Sequence, residues 1–101
     1  MVTPASFAMA LRTTFRGDPG GGSVTYEVVM GHIVATAAVD GEAGDVQLGS
    51  TGSADLVIRS GPDLKRLMAG DVTAAAALKE GLVAVSGPRE LLTRFDRTFT
   101  I

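Results

Sequence analysis

Apolar residues recur at two different spacings along this chain, and each change of spacing marks a change of element. Phe7, Leu11 and Phe15 stand at i, i+4 and i+8, which makes one stripe of a helix. Thr3 is placed to cap that helix, and Pro4 to take its first position, where a missing N–H costs nothing. Arg12 and Arg16 flank the stripe, and the run Gly17-Asp18-Pro19-Gly20-Gly21-Gly22 ends it. The period then drops to two. Val24, Tyr26, Val28 and Met30 share one face of a strand, with Thr25 and Glu27 on the other. Gly31-His32 suits a two-residue hairpin turn with Gly at a positive φ, and Ile33 to Val39 forms the return strand. Asp40-Gly41 and Gly44-Asp45 bracket the next loop. Val46-Gln47-Leu48 is expected as a short third strand and Ala54 to Arg59 as a fourth, in an antiparallel meander.

Helical spacing returns in the second half. Ser60-Gly61-Pro62-Asp63 starts a helix whose buried stripe is Leu64, Leu67 and Met68, and Gly70 stops it. Asp71 is expected to cap a further helix through Ala74-Ala75-Ala76-Ala77-Leu78, ended by Gly81. Leu82 to Val85 reads as a fifth strand. Ser86-Gly87-Pro88 then opens a last helix with Leu91, Leu92, Phe95 and Phe99 on its apolar side. The same Ser-Gly-Pro tripeptide leaves two strands, which marks a shared strand-to-helix turn.

Composition narrows what such a domain can do. The chain has 101 residues, 46% hydrophobic and 20% charged, which suits one globular domain spanning 1–101. It has no cysteine, so disulfides, thiolate catalysis and Cys-ligated metal are excluded by inventory. His32 is the one histidine and falls in a predicted turn, so the usual nucleophile–base pairs and a histidine metal site lack their parts. Ser6, Ser23, Ser50, Ser53, Ser60 and Ser86 mostly fall at caps and turns. The glycine run follows a helix and precedes a strand, the reverse of the order that aims backbone N–H groups at a phosphate. A net charge of −2 argues against direct nucleic-acid contact by this segment. No stretch approaches the roughly 20 apolar residues of a membrane span, and no secretory signal is evident. The default expectation is a soluble cytoplasmic protein without catalytic residues, metal or cofactor.

The order of elements, and several local patterns, resemble the sterol-carrier-protein-2-like family. The residues that carry the likeness are Ala54-Asp55-Leu56-Val57-Ile58-Arg59, then Asp63-Leu64-Lys65-Arg66-Leu67-Met68-Ala69-Gly70. Ala75 to Leu78, Gly81-Leu82-Val83-Ala84-Val85-Ser86-Gly87 and Leu91-Leu92-Phe95 continue it. The stretch from Phe7 to Tyr26, through Ala10-Leu11-Arg12 and Phe15-Arg16, looks more specifically like the version attached behind a winged-helix domain in HxlR-type transcriptional regulators. The resemblance implies an α+β fold: a five-stranded, mainly antiparallel sheet covered by about four helices, around an apolar tunnel for lipids, acyl chains or sterols. It implies no catalytic residues.

Three functions are compatible with that picture. The first is an effector-sensing domain that reaches DNA only through a winged helix elsewhere in a parent regulator. The second is a stand-alone lipid or sterol carrier, and the third a structural module forming a homodimer. For the first two, a small apolar ligand is the expected partner. Its lining is expected from the first and last helices, namely Phe7, Leu11, Phe15, Leu91, Leu92, Phe95 and Phe99, with Met68 and Leu78 between them. Met68 is attractive there because its flexible thioether adapts to varied ligands.

Overall fold

In a computed structural model, which describes residues 3–18 and 21–101, the first helix α1 spans Pro4–Thr14. Thr3 caps it as the sequence suggests. Its hydroxyl accepts from the Ser6 N–H at 3.1 Å, and the Ser6 hydroxyl accepts from the Thr3 N–H at 2.9 Å, a reciprocal capping box. Phe7, Ala8 and Leu11 form its buried face. Phe15 lies beyond the helix, where its backbone turns extended and pairs with Phe99 in an isolated antiparallel bridge. The helical stripe is therefore Phe7 and Leu11 alone, and Phe15 belongs with the carboxy-terminal segment. Of the predicted break after α1, Pro19 and Gly20 fall outside the described residues.

The strands are β1 (Val24–Met30), β2 (Ile33–Asp40), β3 (Ala43–Leu48), β4 (Leu56–Ser60) and β5 (Val83–Ser86). Gly31, at φ +64°, makes the β1–β2 hairpin turn with His32 exposed beside it. β3 is longer than expected. The loop expected between β2 and β3 shrinks to Gly41 and Glu42, and Gly44 sits inside β3 because the Phe15 ring lies on it. A Cβ at Gly44 would come within 2.7 Å of that ring. The expected meander is corrected at its last step. The strand order is β3-β2-β1-β4-β5, and β4 pairs parallel with β1, not antiparallel with β3. The three remaining pairings are antiparallel.

That topology obliges the β3–β4 connection to cross β2 and β1. It does so on the face away from the helices, where polar residues hold it down. The Thr36 hydroxyl donates to the Gly49 carbonyl at 2.7 Å, and the Ser50 hydroxyl bonds the Glu27 carboxylate. The Thr25 N–H donates to the Asp55 carboxylate at 2.8 Å. The crossing explains why Thr36 is buried although it points away from the core.

The helices gather on the other face. Helix α2 spans Leu64–Met68, α3 Ala74–Lys79 and α4 Glu90–Thr98. Thr73, not Asp71, caps α3: its hydroxyl accepts from the Ala76 N–H at 3.1 Å. Phe99 lies just past the end of α4, as its extended C-cap. The sheet's inner face carries Tyr26, Val28, Ala35, Ala37, Leu56 and Ile58, all fully buried against Leu11, Leu67, Leu92 and Phe95 of the helices. Each buried Val, Leu or Ile among them contributes about 1.5–3 kcal/mol by leaving water.

Candidate functional site

The interior beneath α4 is filled. Tyr26 from β1 meets Phe95 edge-on at 5.2 Å between ring centroids and Phe99 at 6.4 Å. Phe95 and Phe99 stack at 5.0 Å, and Phe15 leans on Phe99 at 5.5 Å. Such offset and edge-to-face pairs add about 0.5–1.5 kcal/mol each beyond area burial. Leu11, Leu92, Phe95 and Phe99 are all fully buried, so five of the nine residues expected to line a tunnel, with Phe15, form or adjoin a closed core. Leu91 is partly buried against the same core.

Two surface grooves take in the remaining expected residues. The first is a groove of about 410 Å³ between α1 and α2, at the end of β1. Phe7, Ala10, Met30, Leu64 and Met68 give it an apolar wall, with Pro62 and Ile101 also in the lining; Phe7, Leu64 and Met68 are at most 6% exposed and belong to the buried core as well. Phe7 and Met68 are the two expected lining residues found here. Ala10 and Lys65 were not singled out by periodicity, since both lie on the exposed sides of their helices. The last residues tie the groove together. The Thr100 N–H donates to the Thr14 carbonyl at 2.9 Å, and the Ile101 N–H to the Met68 carbonyl at 3.0 Å.

The polar groups around this groove are few, and most are already engaged. Ser6 is held in the capping box. The Thr14 hydroxyl donates back to the Ala10 carbonyl at 2.8 Å. Lys65 is the one charged side chain of the lining, and among the described residues it makes no salt bridge. The groove thus offers an apolar wall and one uncommitted ammonium.

The second space is a groove of about 790 Å³ between α3, β5 and the first turn of α4. Leu78 lies there, apart from the other expected lining residues. Neither groove contains a nucleophile–base pair. Among the described residues no group of His, Asp and Glu side chains is arranged to hold a metal ion. No helix of the described residues is long and apolar enough to cross a membrane.

Two features near the closed core are electrostatically distinct. Arg94 on α4 donates to the Asp18 carboxylate at 2.7 and 3.1 Å and to the Gly22 carbonyl at 3.2 Å, pinning the segment after α1. That hydrogen bond raises the Arg94 pKa further. A Cβ at Gly21 would meet the Asp18 carboxylate and the Arg94 guanidinium, so a larger residue there would have to displace this pair. The Tyr26 hydroxyl is buried and has no hydrogen-bond partner among the described residues. Burial pushes its pKa up to about 12, with the nearby Arg94 charge acting in the opposite sense. Burial also raises the Asp96 carboxyl.

No family model matches the sequence, and no curated protein matches it either. Solved structures do match. A stereoselective inverting sec-alkylsulfatase from a Pseudomonas species superposes over 99% of this chain with a TM-score of 0.81 and 21% identity. The chain spans only 17% of that enzyme's length. A UbiJ-SCP2 ubiquinone synthesis protein matches over 95% of this chain and 78% of its own, with a TM-score of 0.62 and 18% identity. Sterol carrier protein 2 like 2 from Aedes aegypti matches over 95% of this chain and 96% of its own, with a TM-score of 0.60 and 20% identity. A palmitated form of the Aedes protein matches at 0.53 and 22% identity, over 74% of this chain and 70% of its own. The fold is therefore sterol-carrier-protein-2-like, an α+β architecture with a mixed five-stranded sheet and four helices. None of these proteins is described as a transcriptional regulator.

Proposed function

We propose that the domain binds a single-chain amphiphile in the groove between α1 and α2, the aliphatic chain against Phe7, Met30 and Met68 and an anionic end at Lys65. The observation that carries this reading is the polar inventory of the groove: an apolar wall whose hydroxyls are already engaged, with one free cation at its rim. Apolar pockets with one or two placed polar groups orient ligands of this kind. The sterol carrier name of the Aedes neighbour, and the palmitate on one of its two structures, support an acyl or alkyl ligand. In this reading the closed aromatic core is the wall behind the groove, and no chemistry is done on the ligand.

A second observation bears on context. The alkylsulfatase match, at a TM-score of 0.81 against 0.60 for the Aedes carrier, favours a domain of this type serving within a larger polypeptide that handles alkyl compounds. The stand-alone carrier draws its support from the Aedes protein, of which the match spans 96%. The DNA-coupled sensor rests on the Phe7-to-Tyr26 resemblance alone.

Titration with a fluorescent long-chain fatty acid tests the groove. Ala10→Trp, at an exposed helix position on the groove wall, should cut uptake at least about tenfold while changing stability by about 0.5 kcal/mol or less. Uptake that survives this substitution unchanged would remove the groove from the site. Lys65→Glu should weaken the fatty acid and spare the corresponding fatty alcohol.

A further inference from the structure

The sheet has two edges, and the molecule treats them differently. Along β3, helix α1 packs closely, and the Arg12 guanidinium donates to the Val46 carbonyl at 2.7 Å. Both devices obstruct pairing with another chain. At the other edge β5 pairs only with β4. Alternate N–H and C=O groups of a strand so placed point away from the sheet and lack strand partners.

The groove of about 790 Å³ runs beside them. It is lined by Val83, Ala84 and Val85 in succession. Consecutive strand residues point to opposite faces of a sheet, so a groove touching all three follows the strand's edge and not one of its faces. Its walls are Ala74, Ala75 and Leu78 of α3 and the first turn of α4. The alanines keep it wide: Ala75 and Ala84 are exposed, and no large side chain covers them. Lys79 and Arg89 face the groove against a single acid, Glu90, in a chain whose net charge is −2. Neither cation has an ion-pair partner among the described residues.

We propose that this edge is a docking site for an extended, acidic polypeptide segment, which adds to β5 as a further strand with its carboxylates toward Lys79 and Arg89. Main-chain hydrogen bonds would supply affinity, and the apolar floor and the cations would supply selectivity. A second copy related by a two-fold axis would set groove against groove and fill neither. A segment inserted lengthwise fits the concavity.

The experiment titrates the isotope-labelled chain with a short blocked peptide alternating valine and glutamate, at up to about 1 mM, where even weak association is measurable. Amide resonances of Val83 to Ser86 and of the first turn of α4 should shift, and β5 amides should exchange more slowly. The same peptide N-methylated at alternate residues should fail to bind, as should a valine–lysine counterpart. Arg89→Glu, at an exposed position, should weaken binding about tenfold, the scale of one lost charge pair at an interface. Equal binding of the N-methylated peptide, shifts confined to other elements, or no shift at all would each overturn the proposal. A concentration-dependent dimer that perturbs β5 without peptide would overturn the choice of occupant.

Discussion

The aromatic core beneath α4 and the groove between α1 and α2 are built from similar apolar stripes, yet one is closed and the other open. The difference lies in what faces each stripe. Phe95 and Phe99 meet aromatic partners from two other parts of the chain, Tyr26 in the middle of β1 and Phe15 after α1. Phe7 and Met68 meet the last residue of β1, Met30, and the small Ala10 and Pro62. The sheet ends there, at the Gly31-His32 turn, and offers nothing bulky to fill the gap. A hydrophobic stripe thus becomes core or binding surface according to the volume opposite it, which is a tertiary property.

Substitution at the closed end should give the largest effect. Phe95→Ala removes a fully buried ring that touches both Tyr26 and Phe99. A loss of about 3–5 kcal/mol is expected, the usual range for deleting a buried Phe. Urea denaturation should show it as a lower midpoint with an unchanged slope. A loss under about 1 kcal/mol would mean that the cluster is not the closed unit described.

Leu92→Trp separates the two regions more sharply. Leu92 is fully buried and is not part of the groove lining. Overpacking there should destabilise the fold by about 1–3 kcal/mol, while fatty-acid uptake by the folded fraction stays unchanged. Abolished uptake in a fully stable variant would extend the site to α4 and erase the distinction between core and groove.

Much of this architecture was legible from spacing. The cap at Thr3, the hairpin at Gly31 and the stripe of α2 follow from local rules, and the structure keeps them, whereas the stripe of α4 survives as Leu92 and Phe95, with Phe99 just past the helix end. The misses share one cause. The parallel pairing of β1 with β4, the extension of β3 through Gly44 and the exit of Phe15 from α1 are all settled by contacts distant in sequence. Phe15 has helical spacing from Leu11, but its bridge to Phe99 and its packing on Gly44 outweigh one more helical residue. The same limit applies to the site: periodicity names inward-facing residues, whereas the groove also depends on Ala10 and Lys65, whose side chains matter because they leave space or point outward.

The smallest effect expected is also the most specific to the closed region. The Tyr26 hydroxyl is a polar atom held among aromatic rings without a partner, and an unpaired buried hydroxyl costs about 1–3 kcal/mol of desolvation. Tyr26→Phe keeps the ring and its contacts with Phe95 and Phe99, so it should raise stability at neutral pH by about 1 kcal/mol. Alkaline pH provides an independent reading. Because the folded-state pKa is raised to about 12 from 10.0, the wild-type stability associated with the neutral phenol is fully present below pH 10 and is lost as pH rises from 10 to 12. The slope there should approach about 1.4 kcal/mol per pH unit, and Tyr26→Phe should lack that component. Thermal melts of both proteins across this window measure the difference. A Tyr26→Phe variant less stable than wild type at neutral pH would show that the hydroxyl has a partner, such as a buried water, and that the aromatic core is not closed after all.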